Sequence, residues 1–269
     1  MIESCYPSLS KSERKVADYI LEEKGDIIYE TLLEISKKIN VGEATILRFV
    51  KKVGFSGFQD LKLQVAKVAK DDEPVNETYH ENYIDSIAAN MTNTILNTKN
   101  VLDAKQLSLA IKFIQESNKL FFYGVGASGL AAYEAQSRFI RMGKTGLSIT
   151  DSHFQLMYSS ACGENDVIVA LSLSGYTKDI IESLKVAKKQ KARIIAITNY
   201  ALSPVAQIAD CVLLTAGKES LLDGGSLTSK ISQLYIIDLL TTGYALLNKD
   251  NVLNLKEKTA ELLIDKSAT

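Results

Sequence analysis

Residues 167–189 read VIVALSLSGYTKDIIESLKVAKK, and the order of its three parts decides the fold. Val167 to Leu171 is a short, unbroken apolar run, the pattern of a buried strand. Asp179 to Lys189 reads as a helix. Between them Ser172, Leu173, Ser174, Gly175, Tyr176 and Thr177 form a loop of hydroxyls around one glycine. A strand that stops in such a loop and reopens as a helix gathers free backbone N–H groups at the positive end of the helix dipole, which stabilises an anion. No lysine or arginine interrupts the loop. The implied guest is therefore small and phosphorylated, held by N–H groups and hydroxyls.

The same alternation recurs on either side. Leu120 to Tyr123, Gly146 to Ile149, Ile194 to Thr198 and Val212 to Thr215 are further strand-like runs separated by amphipathic helices, the signature of βαβ units and a parallel sheet. Five strands in this order predict an α/β sandwich. From Leu9 to Val68 the pattern is instead one of short helices with turns. Lys70 to Asn82, with Asp71, Asp72, Glu73, Pro74 and Glu77, reads as an acidic linker. Ile84, Ile87, Ala88, Met91 and Ile95 share one face of a helix that is expected to pack on its own domain, the alternative being a dimer-forming helix. A long apolar helix from Leu227 to Leu247 and a last one over Val252 to Ile264 complete the chain.

The first strand ends in Gly124-Val125-Gly126-Ala127-Ser128-Gly129, which matches the dinucleotide fingerprint G-x-G-x-x-G, and Asp151 follows the second strand where a ribose-binding acid would stand. A dinucleotide site needs no second hydroxyl-rich loop, however. The two histidines, His80 and His153, supply no hydride-transfer constellation either. Both loops fit one crevice better. At the carboxyl ends of neighbouring strands, Ser128 from the first loop and Ser172, Ser174 and Thr177 from the second can bond a single phosphorylated ligand, with Gly126 and Gly175 in the turns. The same hydroxyls are expected to cap the helices that follow. Glu219 lies in a loop with Gly217, Gly224 and Gly225, within reach of a sugar hydroxyl. As acid–base groups for an isomerase, Glu134, Glu219, His153 and Lys230 assemble no convincing pair, so no catalytic residue is assigned. His153, at the start of a helix, reads as a capping or packing residue.

In the N-terminal part, Ser10 or Ser12 caps a helix through Val16, Ala17, Ile20 and Leu21. Thr31 precedes a second helix with Leu32, Ile35 and Ile39, Asn40-Val41-Gly42 interrupts it, and a third runs from Glu43 to Val53. Two helices joined by three residues that include a glycine fit a helix-turn-helix. Ile46, Phe49, Val50 and Val53 recur at i, i+3, i+4 and i+7 and pack inward. Ala44, Thr45, Arg48, Lys51 and Lys52 are left on the outer face, the makeup of a helix that reads base edges and grips phosphates. Lys37, Lys38, Arg48, Lys51, Lys52, Lys62, Lys67 and Lys70 outnumber Glu34, Glu43 and Asp60 here, whereas acidic residues crowd the stretch from Glu3 to Glu30.

Composition sets only broad limits. The 269 residues are 46% hydrophobic and 23% charged with net charge −1, an ordinary globular balance in which overall charge is silent about nucleic acid. Cys5, Cys162 and Cys211 are odd in number and widely spaced. They suggest neither a disulfide framework nor a zinc site, but small buried apolar residues. No metal or cofactor is expected. The start of the chain lacks a signal-like pattern, and no run of about 18 apolar residues occurs, so a cytoplasmic protein is expected.

Three segments, SERKVA at 12–17, VGEATILRF at 41–49 and GFSGFQDLK at 54–62, closely resemble the N-terminal domain of RpiR-type bacterial regulators. One departure is Gly42, where that family usually has a serine cap. Residues 111–247 resemble the sugar isomerase (SIS) domain through GVGAS at 124–128, SLSGYT at 172–177, AITN at 196–199 and SPVA at 203–206. Lys230 stands where the regulators usually carry an arginine, which loses the planar fork of that side chain. The resemblance implies an all-α helix-turn-helix domain over 1–72, a linker and connecting helix over 73–102, a three-layer α/β/α SIS sandwich over 103–250 and a C-terminal helix over 251–269. It implies a regulator of carbohydrate metabolism that senses a phosphosugar. Its partners would be duplex DNA bearing an inverted repeat and further copies of itself, as a homodimer or dimer of dimers, with no membrane. The alternative is a sugar-phosphate isomerase with a fused helical domain.

Overall fold

Alternation along the central strands builds the sheet. The computed structural model describes residues 2–6, 9–22, 27–72, 83–217 and 227–264; residues 73–82 of the acidic linker, with His80, and the candidate Glu219 lie outside them. The described residues form two compact units, one ending at Ser86 and the other starting at Ile87.

In the second unit five parallel strands, β1 (Leu120–Tyr123), β2 (Leu147–Ile149), β3 (Val167–Leu171), β4 (Arg193–Thr198) and β5 (Cys211–Leu214), stand in the order β2-β1-β3-β4-β5. Because side chains alternate across a strand, Leu120, Phe122, Val167, Val169, Leu171, Ile195 and Ile197 enter one core. Phe121, Tyr123, Ile168, Ala170, Ile194 and Ala196 enter the other. The first core is closed by three helices, here numbered in chain order as α7 (Ala104–Glu116), α8 (Ala127–Arg141) and α12 (Leu227–Leu247). The second is closed by α9 (Ser152–Ser160), α10 (Lys178–Lys189) and α11 (Pro204–Ile208). This is the three-layer sandwich expected, with strand bounds within a residue of those read from the sequence. Helix α13 (Lys249–Ile264) follows.

The helix before the sheet departs from expectation. In α6 (Tyr83–Val101) the residues buried are Thr94 and Thr98, while Ile84 and Ile87 are exposed. Met91 and Ile95 are only half-buried. The apolar stripe read from the sequence is therefore exposed along the first half of the helix, and the second half packs on the face that Met91, Thr94, Ile95 and Thr98 share. The helix attaches through its C-terminal half, where Thr98 Oγ1 donates to the Thr94 carbonyl and accepts from Ala216 N.

The first unit is a bundle of short helices. After α1 (Ile2–Cys5), α2 (Lys11–Glu22) begins at Ser10, whose N–H donates to Glu13 Oε2 at 2.8 Å while its Oγ accepts from Glu13 N at 3.4 Å. That reciprocal pair assigns the cap to Ser10 rather than Ser12. Helix α3 (Leu32–Ile39) carries the same device on Thr31 and Glu34, and ends at Asn40, which takes a left-handed φ of 51°. Val41 and Gly42 complete the turn into α4 (Glu43–Lys52). Ile46, Phe49, Val50 and Val53 are buried against Val16, Ala17, Ile20 and Ile35, and α5 (Phe58–Asp72) adds Phe58 and Leu61 to the same core.

Helix α4 starts without a side-chain cap: Gly42 sits at φ −60°, ψ 141°, and a Cβ there would meet nothing within 4 Å. Serine fits this geometry and would satisfy an orphan N–H. Gly42→Ser should therefore stabilise the helical unit by a few tenths of a kcal/mol, read as a higher denaturation midpoint at unchanged m-value.

Candidate functional site

Strand order places the crevice. Tyr123 of β1 lies opposite Ala170 of β3, so the loops beginning at Gly124 and Ser172 leave the sheet side by side. From β1 the chain crosses to β2 on one flank, and from β3 it crosses to β4 on the other. Helices α8 and α10 thus diverge at a topological switch point, where open α/β sheets bind ligands.

Helix ends differ systematically around the unit. Asp103 caps α7 by accepting from Lys105 N at 2.7 Å, Asp151 caps α9 through Phe154 N at 3.0 Å, and Ser203 caps α11 through Ala206 N at 3.3 Å. Neither Gly126 before α8 nor Thr177 before α10 makes a side-chain cap bond. The expectation that the crevice hydroxyls also cap their helices is therefore not met. Thr177 Oγ1 instead pairs with Ser172 Oγ at 3.0 Å, and Ser174 Oγ accepts from Tyr176 N at 3.2 Å. Backbone donors at both helix starts are left for an anion.

Glycines shape the two loops. Gly124 packs against the Ser128 carbonyl, and a Cβ on Gly129 would come 2.9 Å from Thr150 Cγ2. Gly126 takes φ +58° and Gly175 φ +66°. The fingerprint-like spacing in the first loop thus answers to packing and turn geometry. Asp151, the apparent ribose acid, has its carboxylate engaged at the start of α9. His153 in that same first turn is exposed, so it neither caps nor packs.

Of the isomerase candidates, Glu134 is engaged elsewhere. Glu134 Oε1 accepts from Arg138 Nε at 2.8 Å, and Arg138 Nη1 also bonds Asp238. Lys230 is half-buried on α12. Two residues escaped the sequence reading. Gln233, buried on α12, donates from Nε2 to Ser128 Oγ at 3.0 Å. Gln155, buried on α9, donates to the carbonyls of Ile149 at 2.7 Å and Gly124 at 3.4 Å, tying the ends of β1 and β2 together under the first loop. Both contacts span long sequence separations, and a lone glutamine gives no local signal of its partner.

On the helical unit, Ala44, Arg48, Lys51 and Lys52 are exposed and Thr45 is half-buried along the outer face of α4. Arg48 folds back along its own helix, Nη2 lying 3.2 Å from Thr45 Oγ1. The surrounding charge is smaller than the sequence suggested. Lys52 Nζ pairs with Glu13 at 2.9 Å and Lys38 pairs with Glu30. Lys62 lies over the Phe58 ring and donates to the Glu30 carbonyl at 3.0 Å, and burial pushes its pKa down to about 8. Among the described residues, Arg48, Lys51 and Lys37 form no ion pair.

Comparison with known proteins agrees with both halves. Residues 1–71 match the helix-turn-helix domain of the rpiR family and residues 113–243 match the SIS domain. The chain belongs to the rpiR family of helix-turn-helix transcriptional regulators that carry a SIS domain. It is 36% identical to an uncharacterized HTH-type transcriptional regulator of Haemophilus influenzae, over 98% of this chain and 95% of that one. It is 30% identical to the HTH-type transcriptional regulator HexR of Escherichia coli, with the same coverage of 98% and 95%. Among solved structures it is similar to the NanR protein of Vibrio vulnificus complexed with ManNAc-6P, at TM-score 0.89 and 26% identity, covering 100% of this chain and 98% of that one. No helix among the described residues is long and apolar enough to cross a membrane.

The tightest point of the crevice generates a test. A Cβ on Gly175 would run into Ser203 Oγ and Cβ, whereas at Gly126 it would meet open space. Gly175→Ala should destabilise the SIS unit by more than the roughly 1–3 kcal/mol that backbone strain alone costs, and by more than Gly126→Ala does. Urea denaturation of the two variants measures the difference.

Proposed function

We propose that the chain is a cytoplasmic transcriptional regulator without catalytic activity, whose SIS unit binds a phosphorylated sugar and thereby changes the affinity of its helix-turn-helix for an operator. The observation that carries this reading is the pair of uncapped helix starts, at Gly126 and Thr177, on the adjacent strands β1 and β3. Ser128, Ser172, Ser174 and Thr177 supply hydroxyls beside those N–H groups, and Gly126 and Gly175 let the backbone approach the phosphate closely. Glu219 is assigned to a sugar hydroxyl. That NanR carries ManNAc-6P supports the ligand class. The engagement of Glu134 with Arg138 and the exposure of His153 support binding without isomerisation.

Residues 1–72 form the DNA-binding domain, 73–102 the connection, 103–250 the sensor and 251–269 a C-terminal helix. Two copies present their α4 helices to an inverted repeat in successive major grooves, with Thr45 and Arg48 toward base edges and Lys51 toward phosphate. Lys52 joins them when it leaves Glu13. The sugar shifts operator affinity only by its differential affinity for the two arrangements of the protein.

Arg48→Ala should abolish the gel shift of an operator fragment while calorimetric binding of the phosphosugar stays unchanged; a normal gel shift would remove Arg48 from the interface. Ser174→Ala, on the exposed lip of the crevice, should weaken phosphosugar binding about tenfold, the size of one charge-assisted hydrogen bond. Its affinity for DNA without sugar should match that of the parent protein. Turnover of hexose or amino-sugar phosphates by the purified protein would decide for the isomerase alternative.

A further inference from the structure

Helix α6 packs only through its second half. Residues 83–90 are exposed along its first half, and the two residues it buries are threonines. Thr98 is fully buried. Its Oγ1 donates to the Thr94 carbonyl at 2.7 Å and accepts from Ala216 N at 3.2 Å. A threonine needs no tertiary partner to bond back along its own helix. The bond from Ala216 therefore distinguishes this site, because it fastens the helix to the segment that leaves β5.

That segment is held in turn by Asn199, the first residue after β4. Asn199 Oδ1 accepts from Thr215 Oγ1 and from Gly217 N, and its Nδ2 donates to the Gly217 carbonyl. The amide orientation follows from these partners, since a backbone N–H can only donate and a carbonyl can only accept. Asn199 also donates its own N–H to the Leu173 carbonyl at 2.9 Å, and Thr198 Oγ1 donates to the same oxygen at 3.1 Å. Leu173 stands between Ser172 and Ser174 in the phosphate loop. An unbroken series of bonds with fixed donors and acceptors thus runs from that loop through Asn199 and residues 215–217 to Thr98.

We propose that Thr98 is the positioning residue through which phosphosugar occupancy of the Ser172–Thr177 loop acts on helix α6, and through it on operator affinity. The inference rests on the phosphosugar-responsive reading of this protein. When the loop closes on a phosphate, the Leu173 carbonyl shifts with its neighbouring serines. Asn199 and the 215–217 segment must follow or leave buried polar groups unpaired, which is costly. Packed elements respond to such strain by moving between discrete arrangements, and Thr98 couples α6 to that choice. The exposed first half of α6 offers little packing to resist the movement.

The test uses the full-length protein, an operator duplex selected from random DNA by the parent protein, and glucose 6-phosphate, fructose 6-phosphate and ManNAc-6P as probes. Thr98→Val keeps the shape and removes the hydroxyl. It should bind the active sugar within about twofold of the parent, yet the sugar-induced change in operator affinity should fall from the roughly 5–150-fold usual for such coupling to less than about twofold. Thr98→Ser should restore it. A full response in Thr98→Val overturns the inference. If Thr98→Val fails to fold, Asn199→Ser breaks the same series from the other side: loss of the response supports the inference, and a full response overturns it. A parent protein whose operator affinity ignores every probe overturns the phosphosugar-responsive reading itself, a result distinct from failure of the Thr98 variant alone.

Discussion

The parallel pairing of β1 with β3, with Tyr123 opposite Ala170, is the constraint on which the sensor unit depends. Neighbouring strands whose crossovers run to opposite flanks force α8 and α10 apart, and a crevice opens between their N-termini. At both helix starts the side-chain cap is missing. A side-chain cap is worth about 0.5–2 kcal/mol against an unsuited residue and a few tenths against glycine, so both helix starts forgo some stabilisation. On the reading proposed above, a bound phosphate would restore it at both helices together, so that ligand affinity and helix termination would share one energetic origin.

Packing around the crevice explains why so much of it is fixed before any ligand arrives. Gly175 is pressed against Ser203 and Thr198, and its carbonyl accepts from Val205 N at 3.2 Å. On the other loop, Gln155 holds two carbonyls and Gln233 holds Ser128. A loop anchored through buried polar groups pays less ordering entropy on binding than a mobile one. Ser174 stays exposed, and on the proposed reading it is the part left to adapt to a particular sugar.

What the sequence disclosed was local. The strands were legible because apolar runs bounded by turn residues have few other destinations, and α4 because Ile46, Phe49, Val50 and Val53 recur at helical spacing, with Leu47 left exposed. The crevice was legible because its hydroxyls sit within a few residues of strand ends. How far burial extends along α6 was not, since Ile84 and Ile87 are exposed while Thr98 is fastened to Ala216, 118 residues beyond it. Capping was misread at Thr177 for a similar reason: its hydroxyl had a nearer partner in Ser172. The free cationic charge was overestimated because Lys52 pairs with Glu13, Lys38 with Glu30 and Lys62 with the Glu30 carbonyl, partners 39, 8 and 32 residues away.

Those partners bear on how the head grips DNA. Each phosphate neutralised adds about 0.9 to the slope of log affinity against log salt, but only for a cation that is free to reach it. On the proposed reading Lys52 must first leave Glu13, so duplex binding exchanges an ion pair as well as releasing counterions. A contact made by exchange gains less than one made by a free cation. On the proposed reading, specific binding leans on Arg48 and Lys51, which form no ion pair among the described residues, and on shape. A coupling of about 1–3 kcal/mol changes operator affinity about 5–150-fold, so no wholesale rearrangement of the protein is needed. A few buried hydrogen bonds, each worth about 0.5–1.5 kcal/mol net, lie in the required range. A short polar connection between phosphate loop and connecting helix is thus commensurate with the work demanded of it.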